Sequence, residues 1–322
     1  MIPYIKEAQI KRLLDEKTAL RLAEKAFLMI AKKKTVMPPK MYLNLPDSND
    51  FRAMPAFFKD GVSAGCGIKW VSVFPENSRA GFPAVYGTIL LNSHLTGALT
   101  AVLEANTITA IRTGAAAALA TRYLANPKPR ILGIVGAGLQ AEYQLRAMAS
   151  LNSYREIRVW GYRPNEAKIF CRRLKGEFQN LRAVSSVEEC VREADVIVTC
   201  TSSRKPLVRK EWIKKGCHIN AIGADAKGKE ELEPALLRGS KVVVDEWEQA
   251  SHSGEINVPV SRGLFSKKTL CAELAEIVVG KKRGRVSASE ITVFDSTGLA
   301  VLDICFAEYV RARLASNKPQ NA

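Results

Sequence analysis

Residues 136–141, with the sequence Gly-Ala-Gly-Leu-Gln-Ala, have the spacing of a loop that binds the pyrophosphate of a dinucleotide. They follow an apolar run, Ile131–Val135, and begin a segment with helical periodicity. In such a loop Gly136 permits the tight turn, Gly138 lets the pyrophosphate approach the backbone, and Ala141 lets the helix pack closely on the strand. The free N–H groups and the positive end of the helix then bind the anion. The alternative is a glycine turn in an α/β domain that binds a sugar or phosphate.

The end of the next strand-like run indicates which dinucleotide the chain would bind. An NAD site usually offers an acidic residue about 20 residues after the first glycine, where it binds the ribose hydroxyls. Gly161 lies 25 residues after Gly136, and no acidic residue follows before Glu166. Arg163 would attract the 2′-phosphate of NADP, with bidentate geometry available. The pattern therefore favours NADP over NAD, unless Arg163 is simply an exposed loop residue and Glu166 caps the next helix.

Four charged residues lie among apolar or small neighbours and could take part in chemistry: Arg52, Lys69, Arg112 and Asp225. Asp225 follows a strand-like run, at the edge where open α/β sheets bind ligands. Lys69 alternates with Ile68 and Trp70, which favours a solvated, outward position for a lone lysine. Arg112 interrupts an apolar helical pattern, where an ion pair is the ordinary role.

The alternation of strands and helices over residues 131–245 predicts a parallel sheet covered on both faces, and hence an α/β fold with a Rossmann-type doubly wound sheet. Its strands are predicted at 131–135, 157–160, 196–200, 218–222 and 241–245, and its helices near 139–150, 165–178, 186–193 and 230–238. The segment before this alternation is predicted to contain a helix that ends at Pro38, strands at 40–45, 50–56, 67–73 and 85–91, and a helix from about 107 to 126. The segment after it is predicted to contain a helix at 269–280, a strand at 290–294 and a helix at 298–314. These flanking segments are predicted to form a second, α+β domain that the Rossmann domain interrupts.

Composition and charge restrict the function classes. The chain has 322 residues, 47% of them hydrophobic, and 48 basic against 32 acidic residues. The basic residues are scattered and no nucleic-acid-binding signature is present, so we expect no nucleic-acid partner. No uncharged apolar run is long enough to span a membrane, and the charged N-terminal segment is unlike an export signal. Widely spaced cysteines and histidines predict reduced thiols, a cytoplasmic location and no metal site.

Nine segments together resemble the ornithine cyclodeaminase/μ-crystallin family, and most closely its archaeal alanine dehydrogenase branch. They occur in the family's order along nearly the whole chain, at residues 52–55, 67–71, 112–116, 136–141, 203–206, 218–225, 228–232, 254–257 and 294–298. The resemblance implies a substrate-binding and dimerisation domain over residues 1–114 and 296–322, a Rossmann domain over 115–295, and a homodimer. It implies a small amino-acid, keto-acid or imino-acid substrate.

The resemblance also implies roles for individual residues. Lys69 and Asp225 are the candidate catalytic acid and base, and Arg52, Lys69 and Arg112 the candidate substrate-binding residues. Other residues match positions that contact the cofactor in the family. Together with the predicted loop and Arg163, the candidate cofactor-binding residues are Arg112, Thr113, Gly136, Gly138, Leu139, Gln140, Arg163, Thr201, Ala221, Ile222, Gly223, Lys229 and Ser296.

Position 52 distinguishes branches of the family. The cyclodeaminase branch typically has glutamate there, whereas Arg52 matches the alanine dehydrogenase branch and would repel the side-chain ammonium of ornithine. The expected activity is therefore oxidative deamination of a small L-amino acid, L-alanine to pyruvate and ammonia, with NADP or NAD. The alternatives are an ornithine cyclodeaminase, a reductase of pyrroline- or piperideine-2-carboxylate, and a μ-crystallin-like binder without activity. Retention of Asp225 disfavours the last of these.

Overall fold

The chain separates into two units, which we call the first unit (residues 1–112 and 299–322) and the second unit (residues 113–298). The computed structural model describes residues 2–46 and 49–316, apart from the side chains of Ser78 and Arg79. The domain boundaries predicted from the sequence lie after residues 114 and 295. The second unit thus lies, along the chain, between the two parts of the first.

The first unit is built on a mostly antiparallel sheet. Its strands are β1 (Tyr4–Ile5), β2 (Thr35–Val36), β3 (Met41–Asn44), β4 (Asp50–Asp60), β5 (Ser63–Val73), β6 (Val85–Asn92) and β7 (Leu99–Glu104). The order is β1-β7-β6-β5-β4-β2, with β3 also paired to β4. The helices are α1 (Glu7–Lys11), α2 (Glu16–Ala31), α3 (Asn106–Leu124), which continues into the second unit, and the final α11 (Ala300–Ser316).

Helix α11 covers one face of this sheet, packing on β4, β5 and β6 and against α2. The side chains at Ala300–Ala307 are all buried, although Asp303 is among them. Helix α2 buries an apolar stripe, and Asp15 is its N-cap: the Asp15 carboxylate accepts the backbone N–H of Thr18 at 2.7 Å. The candidate site residues of β4 and β5, Arg52 and Lys69, therefore lie on a sheet that a buried helix covers on one face.

The second unit contains an eight-stranded parallel sheet in its described residues. In chain order its strands are β8 (Ile131–Val135), β9 (Glu156–Trp160), β10 (Leu181–Ala183), β11 (Val196–Thr199), β13 (His218–Ala221), β15 (Lys241–Val244), β16 (Ala272–Glu273) and β17 (Thr292–Asp295). Their order is β10-β9-β8-β11-β13-β17-β15-β16. The central strands are buried along their whole length, as expected where helices cover both faces.

Short helices connect these strands: α4 (Leu139–Leu151), α5 (Glu166–Leu174), α6 (Val187–Val191), α7 (Pro234–Arg238), α8 (Trp247–Ser253), α9 (Asn257–Ser261) and α10 (Leu274–Val278). The strand order reverses direction beside β8, the arrangement in which open α/β sheets bind ligands at the carboxyl ends of their strands. The predicted fold class, an α/β chain with a Rossmann-type sheet, is confirmed.

Two predicted helices of the second unit were partly wrong. Residues 230–238 were predicted as one helix, but Glu230–Leu232 form strand β14, which pairs with β12 (Arg204–Val208). Helix α7 begins only at Pro234, because proline fits the first helical turn but interrupts a helix interior. The helix predicted at 269–280 begins only at Leu274, after the edge strand β16. This helix and the strand predicted at 290–294 were assigned to the flanking domain, but both belong to the second unit, where β17 pairs with β13 and β15.

Candidate active site

The loop between β8 and α4 has the geometry of a pyrophosphate cradle. Gly136 has a φ of +127° and lies so close to the chain at Cys200 that a Cβ would meet the Cys200 carbonyl oxygen at 2.9 Å. A Cβ built on Gly138, by contrast, would meet nothing within 4 Å. Gly138 is the N-cap of α4, and no side chain caps the helix. The first turn of α4 therefore presents backbone N–H groups to open space, which fits a bound diphosphate.

Several of the predicted cofactor contacts lie at one edge of the second unit's sheet, whereas Arg112, in the first unit, and Thr113 lie in α3. Because the strands are parallel, their carboxyl ends share this edge: Arg163 follows β9, Thr201 follows β11, Ala221–Gly223 end β13, and Ser296 follows β17. Gln140, in the cradle, keeps a buried Oε1 atom that has no hydrogen-bond partner among the described atoms. These residues fit a dinucleotide laid across the strand ends.

Position 161 leaves no room for the acidic residue of an ordinary NAD site. A Cβ on Gly161 would lie 2.7 Å from Glu166 Cβ and 2.9 Å from the backbone nitrogen of Ala167. The Arg163 side chain is 60% exposed, and its Nε lies 4.0 Å from Glu166 Oε1. Glu166 Oε2 also accepts the backbone N–H of Arg163 at 3.0 Å. The guanidinium is thus accessible at the strand end, with a weak local partner.

Asp225 and Lys229, both predicted site residues, form an ion pair in the second unit. Lys229 Nζ donates to Asp225 Oδ1 at 2.6 Å. The loop that carries them is anchored by Asn257, whose Oδ1 accepts the N–H of Gly228 and whose Nδ2 donates to the carbonyl of Lys229. The Gly254–Asn257 segment of the sequence thus supports the loop bearing Asp225.

In the first unit, Lys69, Arg112 and Asp303 form a buried ionic cluster, which we call the cationic triad. Lys69 Nζ lies 2.8 Å from Asp303 Oδ2, and Arg112 Nε donates to Asp303 Oδ1 at 3.0 Å. The three residues come from β5, α3 and α11, and their exposures are 1%, 5% and 0%. Two cations thus share one carboxylate where water has little access.

This environment brings the pKa of Lys69 close to neutrality. Burial penalises the charged ammonium most strongly, Asp303 opposes that effect, and the positive charges of Arg112 and Lys40 add to it, so the pKa of Lys69 falls to about 7. Burial would raise the pKa of Asp303, but the two adjacent cations outweigh it and lower that pKa. Lys69 can therefore gain or lose a proton at physiological pH while Asp303 stays ionised.

The expectation that Lys69 is a solvated, outward residue was wrong. Strand alternation did place Lys69 and Trp70 on opposite faces, but Trp70 is the exposed one, at 41%. The ion pair with Asp303 offsets the cost of burying the Lys69 ammonium. The lysine is therefore on the buried face of the strand and the tryptophan on the exposed face, the reverse of the usual arrangement.

Arg52 lies on the same sheet face as Lys69. The register pairs Met54 with Lys69, and Arg52 is two residues from Met54 along β4. Cross-strand partners share a face, and side chains two residues apart on a strand do as well. Arg52 Nε donates to Asp50 Oδ1 at 2.7 Å and Nη2 to Oδ2 at 3.1 Å, and the guanidinium lies over the Tyr42 ring. The predicted substrate-binding cations of the first unit thus face one side of one sheet.

Asp303 was not singled out in the sequence, although a signal was present. It is the one charged residue between Ala300 and Ala307, inside a segment that is otherwise apolar. A buried carboxylate there needs a cationic partner, so its position indicated that at least one basic residue would be buried with it.

The histidine with the clearest surroundings is structural. His218 is buried, and its ring nitrogens contact Thr292 Oγ1 at 2.9 Å and Asn220 Oδ1 at 3.2 Å. Burial lowers the pKa of His218 to about 3, so it remains neutral.

Among the residues for which coordinates are described, no three His, Cys, Asp or Glu side chains form a group suited to a metal ion. No helix of the described chain is long and apolar enough to cross a membrane.

Comparison with known proteins identifies the family of the chain. Residues 4–318 match the model of the ornithine cyclodeaminase/mu-crystallin family. The chain is 41% identical to an alanine dehydrogenase of Archaeoglobus fulgidus over 307 residues, 94% of this chain and 92% of the relative.

Two solved structures share the fold over nearly the full length. An archaeal alanine dehydrogenase dimer with bound NAD superposes with a TM-score of 0.92 at 40% identity, covering 98% of this chain and 97% of the other. The Δ1-pyrroline-2-carboxylate reductase of Thermococcus litoralis, in complex with NADH and L-proline, gives a TM-score of 0.94 at 33% identity, with both chains fully covered. The resemblance noted in the sequence is therefore confirmed, and the chain belongs to the ornithine cyclodeaminase/mu-crystallin family.

Proposed function

We propose that the protein is an NAD(P)-dependent dehydrogenase that converts a small L-amino acid, L-alanine, to its keto acid and ammonia. The observation that carries this proposal is the cationic triad: a buried lysine of near-neutral pKa held beside an arginine by one carboxylate. The 41% identity to an alanine dehydrogenase supports the choice of substrate. The first unit would bind the substrate, and the second unit the dinucleotide.

The triad and Arg52 can bind the carboxylate of an amino acid. Asp303 balances one positive charge, so protonation of Lys69 leaves the triad with a net charge of +1. Arg52 lies on the same face and contributes a planar guanidinium. A carboxylate in a site with little water is stabilised by such charge-assisted hydrogen bonds. The arginine at position 52 matches the alanine dehydrogenase branch and favours alanine over ornithine, although its ion pair with Asp50 balances its charge and weakens any repulsion of a second ammonium.

Lys69 is the group best suited to move protons. The substrate amine must be neutral for hydride to leave its α-carbon, and the resulting imine must add water to give the keto acid and ammonia. Neutral Lys69 can accept the proton of the substrate ammonium, and protonated Lys69 can return one to the leaving ammonia. Bound nicotinamide supplies the hydride acceptor for this chemistry. Asp225 is proposed as a second acid or base, with Lys229 as its partner.

A steady-state assay with both dinucleotides tests the function. We expect reduction of NADP or NAD with L-alanine, and oxidation of the reduced dinucleotide with pyruvate plus ammonia. Absence of both reactions in folded protein would reject the proposal.

A cyclic imine reductase is the second candidate, because the chain also superposes on a Δ1-pyrroline-2-carboxylate reductase at a TM-score of 0.94. The same cations could bind the carboxylate of pyrroline-2-carboxylate. That activity would oxidise the reduced dinucleotide without added ammonia. An ornithine cyclodeaminase, the third possibility, would form proline from ornithine with no net change in the dinucleotide.

We propose NADP as the preferred dinucleotide, on the basis of Gly161 and Arg163. Arg163→Asp should lower the ratio of kcat/KM for NADP to that for NAD by roughly 100-fold, since the change removes a cation and adds a carboxylate near the 2′-phosphate. Arg172→Asp, at an exposed arginine of α5, is the matched control and should leave the ratio unchanged. An unaltered ratio in Arg163→Asp would remove the argument for NADP.

We also propose a homodimer formed through the sheet face opposite α11. Residues exposed on this face or its edge strand include Met41, Leu43, Trp70 and Tyr86, and Phe51 stacks on Trp70 with ring centroids 5.3 Å apart. A contiguous apolar surface of this kind marks an interaction site. The related archaeal alanine dehydrogenase is a dimer, which supports a second copy of the chain as the partner.

Introducing a charge on this face should dissociate the dimer. Leu43→Glu is expected to raise the dimer dissociation constant at least about tenfold, because a carboxylate would be buried without a partner. Ile169→Glu, on α5 and similarly exposed, should have no effect. Analytical ultracentrifugation measures both variants. A Leu43→Glu protein with the native sedimentation coefficient at all concentrations would argue against this interface.

The cytoplasm is the proposed location. All seven cysteines are free thiols, and three of them, Cys190, Cys217 and Cys305, are buried. Unpaired cysteines are typical of proteins in a reducing compartment.

A further inference from the structure

The carboxylate of Glu231 accepts hydrogen bonds from four donors at the carboxyl ends of β11 and β13. Its Oε1 accepts the backbone N–H of Thr201 at 2.6 Å and the Thr201 hydroxyl at 2.7 Å. Its Oε2 accepts the Thr199 hydroxyl at 2.7 Å and the backbone N–H of Gly223 at 2.9 Å. Each oxygen thus binds two donors, and the residue is fully buried.

These contacts join two segments that leave adjacent strands. Thr199 and Ala221 are paired neighbours in β11 and β13, and Thr201 and Gly223 each lie two residues further along. A Cβ on Gly223 would meet the Thr201 carbonyl oxygen at 2.2 Å and the Glu231 carboxyl carbon at 2.7 Å. Only glycine allows the two segments and the carboxylate to come so close. The backbone at both strand ends is therefore held by one side chain.

Glu231 is itself held in place by a second buried carboxylate. Glu255 Oε1 accepts the backbone N–H groups of Glu231 and Leu232, at 2.9 and 2.6 Å. Strand β14 is thereby fixed independently of its pairing with β12. The carboxylate of Glu231 is presented from a rigid support, so its distances to Thr201 and Gly223 are constrained.

Two features distinguish Glu231 from a catalytic residue. Both of its oxygens are fully used by protein donors, and none of its surface is exposed. Its only route to a ligand is through the segments it binds. Those segments lie at the sheet edge where the dinucleotide is expected, and on the β11–β13 side of the strand-order reversal, whereas the pyrophosphate cradle follows β8. In such folds the two sides bind the two mononucleotide halves.

We propose that Glu231 is a positioning residue that fixes the ends of β11 and β13 in the conformation required to bind the nicotinamide half of the dinucleotide. The inference depends on dinucleotide binding by the second unit and is independent of the choice of amino-acid substrate. Glu231 would then help to determine cofactor affinity although it contacts neither cofactor nor substrate.

The test compares two ligands that differ in the nicotinamide half. The dissociation constant of NADPH, or NADH if that is the preferred form, is measured by fluorescence, and that of ADP by competition, with 2′-phosphorylated ADP used in place of ADP for comparison with NADPH. In Glu231→Gln an amide nitrogen replaces one of the two acceptor oxygens. This nitrogen is a donor and faces a backbone N–H whose direction is fixed, so the hydrogen bond to that N–H is lost. We expect affinity for the reduced dinucleotide to fall about tenfold or more, with ADP affinity unchanged. The matched control is Glu230→Gln, which neutralises the adjacent carboxylate and should alter neither constant.

Three results would overturn the proposal: unchanged affinity for the reduced dinucleotide in Glu231→Gln, equal losses for the dinucleotide and ADP, or the same selective loss in Glu230→Gln. If Glu231→Gln does not fold, Thr199→Val decides the question, because it removes one of the four donors with little change in shape. A selective loss of dinucleotide affinity of several-fold in that variant would support the proposal, and native affinity would reject it. Neither measurement requires turnover of alanine, so failure here is distinguishable from failure of the proposed reaction.

Discussion

Lys69→Met is expected to lower kcat by about a thousandfold or more while the protein remains folded. Methionine retains most of the apolar stem but has no group that exchanges protons. The remaining ion pair between Arg112 and Asp303 is electrically balanced, as it is in the wild-type protein when Lys69 is neutral, so no uncompensated buried charge results. Steady-state rates with alanine, together with a thermal unfolding curve, measure both parts of the expectation.

The pH dependence of the wild-type enzyme provides a second view of the same residue. If neutral Lys69 is the base, kcat/KM for alanine should fall tenfold per pH unit below about 7, where the ammonium forms. This acidic limb should be absent from the residual activity of Lys69→Met. Lys59→Met, at an exposed lysine of the same sheet, is the control and should retain wild-type rates. A Lys69→Met enzyme with more than about a tenth of wild-type activity would show that another group is the principal base.

Gly138→Val should abolish most dinucleotide binding without lowering stability. The backbone of Gly138 has a φ of −87°, which any residue adopts, and a Cβ there meets no protein atom. The new side chain would occupy the space in which the pyrophosphate approaches the start of α4. We expect the dissociation constant of the reduced dinucleotide to rise roughly 100-fold or more, since direct backbone contacts to the diphosphate are prevented.

Gly136→Ala provides the contrasting variant in the same loop. Its φ of +127° and the close approach of Cys200 mean that an added methyl group strains the backbone itself. Unfolding free energy should fall by about 1–3 kcal/mol. Calorimetry and a binding titration on both proteins separate the two effects. A Gly138→Val protein that binds the dinucleotide normally would show that the diphosphate does not lie against this loop.

The second unit was predictable because its signals are local. The run Ile131–Val135, the glycines after it and the helix that follows occur within about 20 consecutive residues, and each obeys a rule of backbone geometry. The error at residues 230–238, by contrast, comes from contacts that are distant in sequence. Glu230–Leu232 are held as a strand by β12 and by the carboxylate of Glu255, neither of which is near in sequence. Only the proline at 234 indicated where the helix begins.

The first unit was less predictable because its site depends on distant contacts. Alternation separated Lys69 from Trp70 but did not indicate which of them was buried, since that depends on Asp303 on the last helix. The shared carboxylate explains why Lys69 and Arg112 lie together. The proposed cooperation of Asp225 with Lys69 stays a prediction, which a comparison of Asp225→Asn and Lys69→Met pH profiles can test.

The position of Asp303 has a consequence for biosynthesis. A nascent chain emerging from the ribosome exposes β5 and α3 long before residue 303 has been synthesised, and the entire dinucleotide-binding fold appears in the interval. Until α11 has been synthesised, the side chains of Lys69 and Arg112, which are buried in the folded protein, lack the Asp303 counterion and remain hydrated. The sheet of the first unit therefore completes its core only after the second unit has been synthesised, so the ability to bind a nucleotide should precede catalytic competence during synthesis.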